Sequence, residues 1–217
     1  MIVDERLVSY INSLDKGNTP LLNAIEKEAL LDGVPIIRRE TQNLLKFLLA
    51  LKQPQNILEV GTAVGFSALL MEEYSPNSVK ITTIEKYEKR IPIARANFEK
   101  ADKSDCITLL EGDAMEVMKQ LSAPFDFIFM DAAKAQYIYF FPEMLRLLSK
   151  GGILVSDNVL QDGDIIESKF AVTRRNRTIH KRMRDYLYEL TNHEELQTTV
   201  LPVGDGVTLS IKRNTET

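Results

Sequence analysis

Short, almost unbroken apolar runs punctuate this chain at residues 57–60, 81–84, 107–110, 125–130 and 152–156. Each is β-branched or aromatic and nearly free of polar interruptions, the pattern of a strand buried on both faces. Longer stretches of mixed apolar and charged positions lie between them, at 67–74, 89–100, 114–121 and 140–148, and read as helices. This alternation predicts right-handed βαβ units and a parallel sheet. Ahead of it, residues 1–52 read as helical, and Leu44, Leu45, Phe47, Leu48, Leu49 and Leu51 form a strongly apolar helix that stops before Pro54. Behind it come a loop, a helix with Ile179, Met183, Leu187 and Leu190 on one face, and strands at 196–203 and 206–212 joined through Gly204-Asp205-Gly206, a hairpin signal. The expected fold is α/β, doubly wound, with a mostly parallel sheet ending in an antiparallel hairpin. No repeat or linker divides the chain, so residues 1–217 form one domain with the helices of 1–52 packed on it.

Composition narrows the class. With 217 residues, 44% of them hydrophobic, the chain supplies one substantial core and not two. No apolar run approaches the ~20 residues that span a bilayer, and Met1-Ile2-Val3-Asp4-Glu5-Arg6 lacks the layout of a signal peptide. The single cysteine, Cys106, allows no internal disulfide and reads as apolar filler in a reducing compartment. No membrane partner and a cytoplasmic location are therefore expected. A net charge of -4 excludes global attraction to nucleic acid, so such a partner needs a local basic patch. His180 and His193 read as surface residues without a role.

In parallel sheets ligands bind beyond the carboxyl ends of the strands. After the first strand, Gly61 and Gly65 stand four apart in Glu59-Val60-Gly61-Thr62-Ala63-Val64-Gly65-Phe66-Ser67. They either bring backbone close to a ligand or make only a tight turn. Ala63 breaks the dinucleotide pattern, which argues against a dehydrogenase. Glu85 ends the second strand, placed to accept the ribose hydroxyls of an adenosine, or else is a solvated glutamate at a helix start. Asp113, after the third, suits a helix N-cap, an adenine amino group, or both. The sharpest constellation follows the fourth and fifth strands: Asp131 and Asp157-Asn158. Two carboxylates and an amide oxygen make a partial all-oxygen shell that suits Mg²⁺. Helix capping and turn closure are the bland alternative, but a bare charge after a buried strand is expensive. Lys134, three residues past Asp131, would have its ammonium form disfavoured by a nearby cation and could take or orient a substrate proton; otherwise it is a surface lysine.

These residues resemble the metal-dependent catechol and caffeoyl-CoA O-methyltransferases over nearly the whole chain from about Pro35. The segment from Ile57 to Gly61 with Gly65-Phe66-Ser67 is similar to that family's cofactor loop. The run from Phe125 to Asp131 with Lys134 and Tyr137 is similar to its metal and base motif, Gly151-Gly152 through Asp157-Asn158 to its second metal motif, and Leu201 to Val207 to its C-terminal hairpin. The resemblance implies a Rossmann-like methyltransferase fold with seven strands, the last antiparallel. It implies S-adenosylmethionine contacts at Ile37, Glu59, Gly61, Ser67, Glu85, Asp113, Ala114 and Asp131, Mg²⁺ or another divalent cation on Asp131, Asp157 and Asn158, and Lys134 as base. It also implies a homodimer. Ala133 departs from plant-type relatives, which carry a second acid there, and puts their phenolic-ester substrate in doubt. On this reading the metal chelates two adjacent substrate oxygens beside the sulfonium methyl.

One local feature bears on the substrate. Residues 168–184 hold Lys169, Arg174, Arg175, Arg177, Lys181, Arg182 and Arg184 and no acid, leaving 20 basic against 31 acidic residues elsewhere. A charge run is usually a solvated face, but this one follows the metal loop, and Arg and Lys clusters contact phosphates. Arg174, Arg175, Arg177, Lys181 and Arg182, with Arg38 and Arg39 near the expected pocket mouth, are the candidate RNA contacts. A 5-hydroxyuridine base offers the vicinal oxygen pair, and bacterial relatives with such an insert resemble the tRNA 5-hydroxyuridine methyltransferases, which act at the wobble position of the tRNA anticodon loop. The same chemistry on a small catechol or hydroxycinnamate-type phenol is the alternative. A non-catalytic RNA- or nucleotide-binding module is the alternative of another class.

Overall fold

The computed structural model describes residues 3–122, 124–168 and 170–214. Three helices come first: α1 (Glu5–Ser13), α2 (Pro20–Leu31) and α3 (Arg39–Lys52). The alternating body follows as β1 (Asn56–Val60), α4 (Phe66–Glu73), β2 (Lys80–Glu85), α5 (Ile91–Lys100), β3 (Ile107–Glu111), α6 (Ala114–Gln120), β4 (Phe125–Met130), α7 (Tyr137–Leu147) and β5 (Leu148–Ser156), and the chain ends with α8 (Arg177–Asn192), β6 (Leu196–Leu201) and β7 (Val207–Lys212). One 3-10 turn, Lys134–Gln136, links β4 to α7.

Local signals set the ends. The Asp4 carboxylate accepts from Arg6 N at 2.9 Å and caps α1. Thr19 caps α2, whose first residue is Pro20. Gln53, left-handed at φ 50°, closes α3 just before Pro54.

The sheet order is β3-β2-β1-β4-β5-β7-β6. Strands β1 to β5 pair in parallel, and β7 runs antiparallel to both β5 and β6. Alternate residues divide the core into two layers. Ile57, Phe127 and Ile153 share a row on the face covered by α2 to α5, and Leu58, Ile128 and Leu154 share one on the face covered by α6 to α8. From β1 the chain winds outward through β2 and β3, then returns to β4 on the other side of β1. The strand order therefore reverses between β1 and β4, which opens a crevice at their carboxyl ends.

Several boundaries move. Residue 148 opens β5 instead of ending a helix: Leu148 pairs with Phe125 before a register shift, so β5 is nine residues long and not the five of 152–156. Strand β6 stops at Leu201 because Pro202 has no N–H to donate. Helix α5 starts at Ile91, two residues late, with Pro92 in its first turn. His180 is not a surface residue; it is 2% exposed on the inner face of α8 beside Met183, Tyr186 and Leu190. His193 is half-buried, edge-on to Phe141 at 5.4 Å. Cys106 is half-buried with its thiol donating to Lys103 O, and burial pushes its pKa up, away from a nucleophile's. Among the described residues no helix is long and apolar enough to cross a membrane.

Candidate active site

A cavity of about 560 Å³ occupies the crevice between β1 and β4. The β1–α4 loop forms its floor. Gly61 N and Thr62 N donate to Ile84 O at 3.1 and 3.2 Å, which ties this loop to the end of β2. Gly61 has φ +108°, and a Cβ there would stand 2.1 Å from Asp131 O. Only glycine lets this turn run against the carbonyl of the β4 tip.

Seven of the residues proposed for the cofactor, Ile37, Gly61, Ser67, Glu85, Asp113, Ala114 and Asp131, line this one cavity. The Glu85 carboxylate accepts from Ala63 N at 2.8 Å through one oxygen, and from Lys86 N and Tyr87 N at 2.9 and 2.8 Å through the other. A carboxylate has about four lone-pair sites, so the three backbone donors orient it and leave acceptor capacity on Oε2 for a ligand hydroxyl. Asp113 caps α6 by accepting from Met115 N at 3.0 Å and also pairs with Lys86 at 3.3 Å, all while lining the cavity.

Glu59 is the exception. It is fully buried and does not line the cavity. Its neighbours on β1 alternate between sheet faces, and its own side chain points under α4. There it accepts from the hydroxyls of Ser67 and, at 2.5 Å, Thr83. Burial pushes its pKa up to about 7 against the pull of these two bonds. Glu59 is a packing and positioning group behind the loop, not a ligand contact.

The candidate metal set sits at the tips of β4 and β5, which register Met130 against Ser156. Asp131 and Asp157 are therefore lateral neighbours. Asp157 N donates to Met130 O at 3.0 Å and Asp131 N to Val60 O at 3.0 Å, fixing both backbones. Asn158 follows in the left-handed conformation at φ +57°, which asparagine tolerates better than most residues, and it lines the cavity with Asp131. Asp157 is 1% exposed; its Oδ1 accepts from Asn158 N at 2.8 Å, and its Oδ2 is buried without a partner. Burial first, and the neighbouring Asp131 second, push the Asp157 carboxyl up to about 7. Burial raises Asp131 too, opposed by Lys134. A half-buried acid that raises the buried acid beside it, the second with an orphaned oxygen, fits a cation. The set is two acids plus an amide; among the described residues no cluster of three or more His, Cys, Asp or Glu could hold an ion.

Two further residues complete the site. Tyr137 is fully buried, and its hydroxyl lies 3.1 Å from Asp157 O, 3.3 Å from Met130 O and 3.3 Å from Ala132 N, bracing both strand tips. Asp205, 4% exposed in the β6–β7 turn, sits 3.6 Å from the Lys134 ammonium and accepts from Asp162 N. The hairpin signal in Gly204-Asp205-Gly206 marked a turn. That the turn reaches the strand tips follows from the β5–β7 pairing, which residue spacing does not show.

The family profile described as O-methyltransferase matches residues 18–213. The chain belongs to the O-methyltransferase family. It is 30% identical over 168 residues to a catechol O-methyltransferase of Niastella koreensis, covering 76% of this chain and 70% of that one. It is 32% identical over 178 residues to caffeoyl-CoA O-methyltransferase 1 of Eucalyptus globulus, with the same coverage. Among solved structures, the SAH-bound methyltransferase of Podospora anserina superposes with a TM-score of 0.86 at 27% identity, covering 97% of this chain and 95% of that one. In this O-methyltransferase the crevice at the β1–β4 reversal is thus the place where the family's motifs converge.

The basic residues separate into groups. Arg38 lines the cavity but is clasped to Asp162 at 2.9 Å and to Gly204 O at 3.4 Å. Arg39 is not at the mouth: it turns towards Asp15 at 3.4 Å and Glu26 at 3.7 Å, because adjacent residues at a helix start point in different directions. Arg174 and Arg175 are exposed and do not line the cavity. Arg177, Lys181 and Arg182 line a second, open cleft beside α7, which Arg174 and Arg175 do not line either. Lys169 lies outside the described residues.

Proposed function

We propose that this protein transfers the methyl group of S-adenosylmethionine to one member of a vicinal pair of substrate oxygens, and that the pair belongs to 5-hydroxyuridine at the wobble position of a tRNA anticodon loop. The observation that carries the chemistry is the orphaned Asp157 Oδ2, buried behind the cavity wall next to its two neighbours in the site, Asp131 and Asn158, which line it. These three residues would hold Mg²⁺ or another divalent cation. When bound, such an ion supplies Lewis-acid activation of the hydroxyl and a template for its neighbour oxygen.

The chain's own residues do the rest. Glu85 takes one ribose hydroxyl, and Asp113 and Ala114 edge the adenine. Gly61 lets the methionine end lie against the β4 tip. Tyr137 fixes the two strand tips at one spacing, and the dry walls of Phe66, Ile84 and Phe140 exclude water. Lys134, held near the ion site by Asp205, receives or orients the acceptor proton. The RNA reading is supported by the basic cleft next to Lys134, and by a single-stranded loop base that can be splayed out at little cost.

The second reading, a small catechol or hydroxycinnamate-type phenol, is favoured by what the related enzymes are named for. Methyl transfer from labelled S-adenosylmethionine to 5-hydroxyuridine-containing tRNA and to catechol, each with and without EDTA, separates them. The proposal expects turnover on the tRNA that chelator abolishes. Turnover on catechol alone selects the second reading, binding of donor and RNA without turnover selects a non-catalytic module, and full activity in EDTA overturns the metal role. A homodimer is also proposed. The exposed apolar residues Leu7, Tyr10 and Leu14 in and just after α1 support it, and light scattering tests it.

A further inference from the structure

The second cleft lies between the first turns of α7 and α8, lined by Ile138, Tyr139, Arg177, His180, Lys181, Arg182 and Arg184, with Asp185 as its sole acid. We infer that this cleft is a phosphodiester subsite, which seats a backbone phosphate of the single-stranded substrate next to the base held in the cofactor cavity. The inference rests on the RNA reading proposed above and gives it a location.

Four observations carry it. First, the cations are not neutralised: among the described residues, Arg177, Lys181, Arg182 and Arg184 make no ion pair with a carboxylate. Elsewhere on this acidic protein, Arg38, Arg39, Arg95 and Arg146 all have one. Second, three of the four are already oriented. Arg177 donates to Val172 O at 3.3 Å, Arg182 to Ala135 O at 3.2 Å and Arg184 to Ile165 O at 3.3 Å. Each bond uses only part of a five-donor fork, so the side chain is held while donors remain for a phosphate. Third, His180 lines the cleft at 2% exposure; its Nε2 meets Glu167 O at 3.1 Å and its Nδ1 has no partner. Facing a carbonyl, Nε2 carries the ring proton, which leaves Nδ1 an acceptor open to a ribose 2′-hydroxyl beside the phosphate. Fourth, aromatic surface is interleaved with the charge. Tyr139 is 49% exposed with the Arg182 guanidinium 4.9 Å from its ring centre, a platform for a flanking base.

Position links the two depressions. Arg182 is bonded to Ala135, which sits between Lys134 and Gln136, and both of those line the cofactor cavity. A strand that leaves the cavity across this 3-10 turn enters the cleft directly. A small phenol, filling the cavity alone, has no use for it.

The chain's two histidines make the test clean. His193 is 13 residues beyond His180 along α8, about 20 Å away at 1.5 Å per residue, and serves as the internal reference. The full-length protein, with labelled histidine, is titrated with the uridine trinucleotide UpUpU at low salt and followed through imidazole resonances. The expected result is a saturable shift of His180 with His193 still. Arg177→Ala with Lys181→Ala, both exposed positions, should weaken binding about tenfold. The slope of log affinity against log salt should fall by about 0.7 for each phosphate no longer engaged. Asp185→Asn should tighten binding. An unmoved His180, unchanged affinity in the double variant, or inorganic phosphate binding as tightly as the trinucleotide would overturn the inference. The two proposals fail separately. Methylation of hydroxyuridine RNA with the same KM in the double variant overturns the cleft alone. Trinucleotide binding in the cleft without RNA methylation overturns the substrate reading alone.

Discussion

Two glycine-to-alanine substitutions measure how tightly the cofactor loop is pressed against the β4 tip. Gly61 (φ +108°) and Gly163 (φ +99°) both adopt conformations that strain any L-residue, but they differ in surroundings. Nothing lies within 4 Å of a Cβ at position 163, whereas at position 61 it would meet Asp131 O at 2.1 Å and Asp131 C at 2.9 Å. Gly163→Ala therefore adds backbone strain alone, about 1–2 kcal/mol. Gly61→Ala adds the same strain plus an overlap that ordinary contact distances make more than about 1 Å deep. The carbonyl cannot retreat freely, because Asp131 N is bonded to Val60 O in the adjoining strand at 3.0 Å. Overpacking of this kind costs about 1–3 kcal/mol, and breaking a ladder bond about 1 kcal/mol more. At about 2–4 °C per kcal/mol for a domain of this size, calorimetry should place Gly61→Ala roughly 5–15 °C below Gly163→Ala. Titration calorimetry with S-adenosylmethionine should show weakened binding only for Gly61→Ala. Equal melting temperatures would refute the argument, since they would show that strain is the whole cost and that the loop is not pressed on the carbonyl.

Three other outcomes are expected. Asp131→Ala should abolish turnover at unchanged melting temperature or with a gain, because it removes a half-buried charge that raises Asp157; a large loss of stability would show that the aspartate serves the fold. Because the Asp157 carboxyl is held at about 7, below that pH a divalent cation must displace a proton, and its affinity should weaken towards tenfold per pH unit, read by titration calorimetry between pH 5.5 and 8. Glu59 is also raised to about 7. A raised acid favours the folded state fully below its unfolded pKa, and that contribution is lost as pH climbs from about 4.5 to about 7. Glu59→Gln should therefore match the parent near pH 4.5 and exceed it by about 1–3 kcal/mol at pH 8, as measured by urea denaturation; equal stabilities at pH 8 would mean the carboxylate is better satisfied than its burial implies.

The pattern along the chain was enough to determine that the five apolar runs are strands of a doubly wound α/β fold and that chemistry belongs just past each run; it overstated only the run 107–110, which forms the edge strand β3 and alternates buried with exposed positions. Periodicity reports burial, and burial on both faces leaves few arrangements for strands alternating with helices. The residues that end those strands, Glu85, Asp113, Asp131 and Asn158, were legible for the same reason, since a polar group directly after a buried run has few places to go. Other features were decided by tertiary structure. Glu59 sits inside a strand, so only the direction of its side chain under α4 separates a cofactor contact from a buried brace. Asp205 reads as a turn residue until β7 inserts between β5 and β6 and carries the turn to Lys134. His180 and Arg39 were misplaced because charge and polarity predict exposure on average, whereas the packing of α8 and the paired acids Asp15 and Glu26 act on these two residues individually. A strand's burial is written in its own residues; which loops meet at its tip depends on pairings between segments far apart in sequence, and no local pattern encodes them.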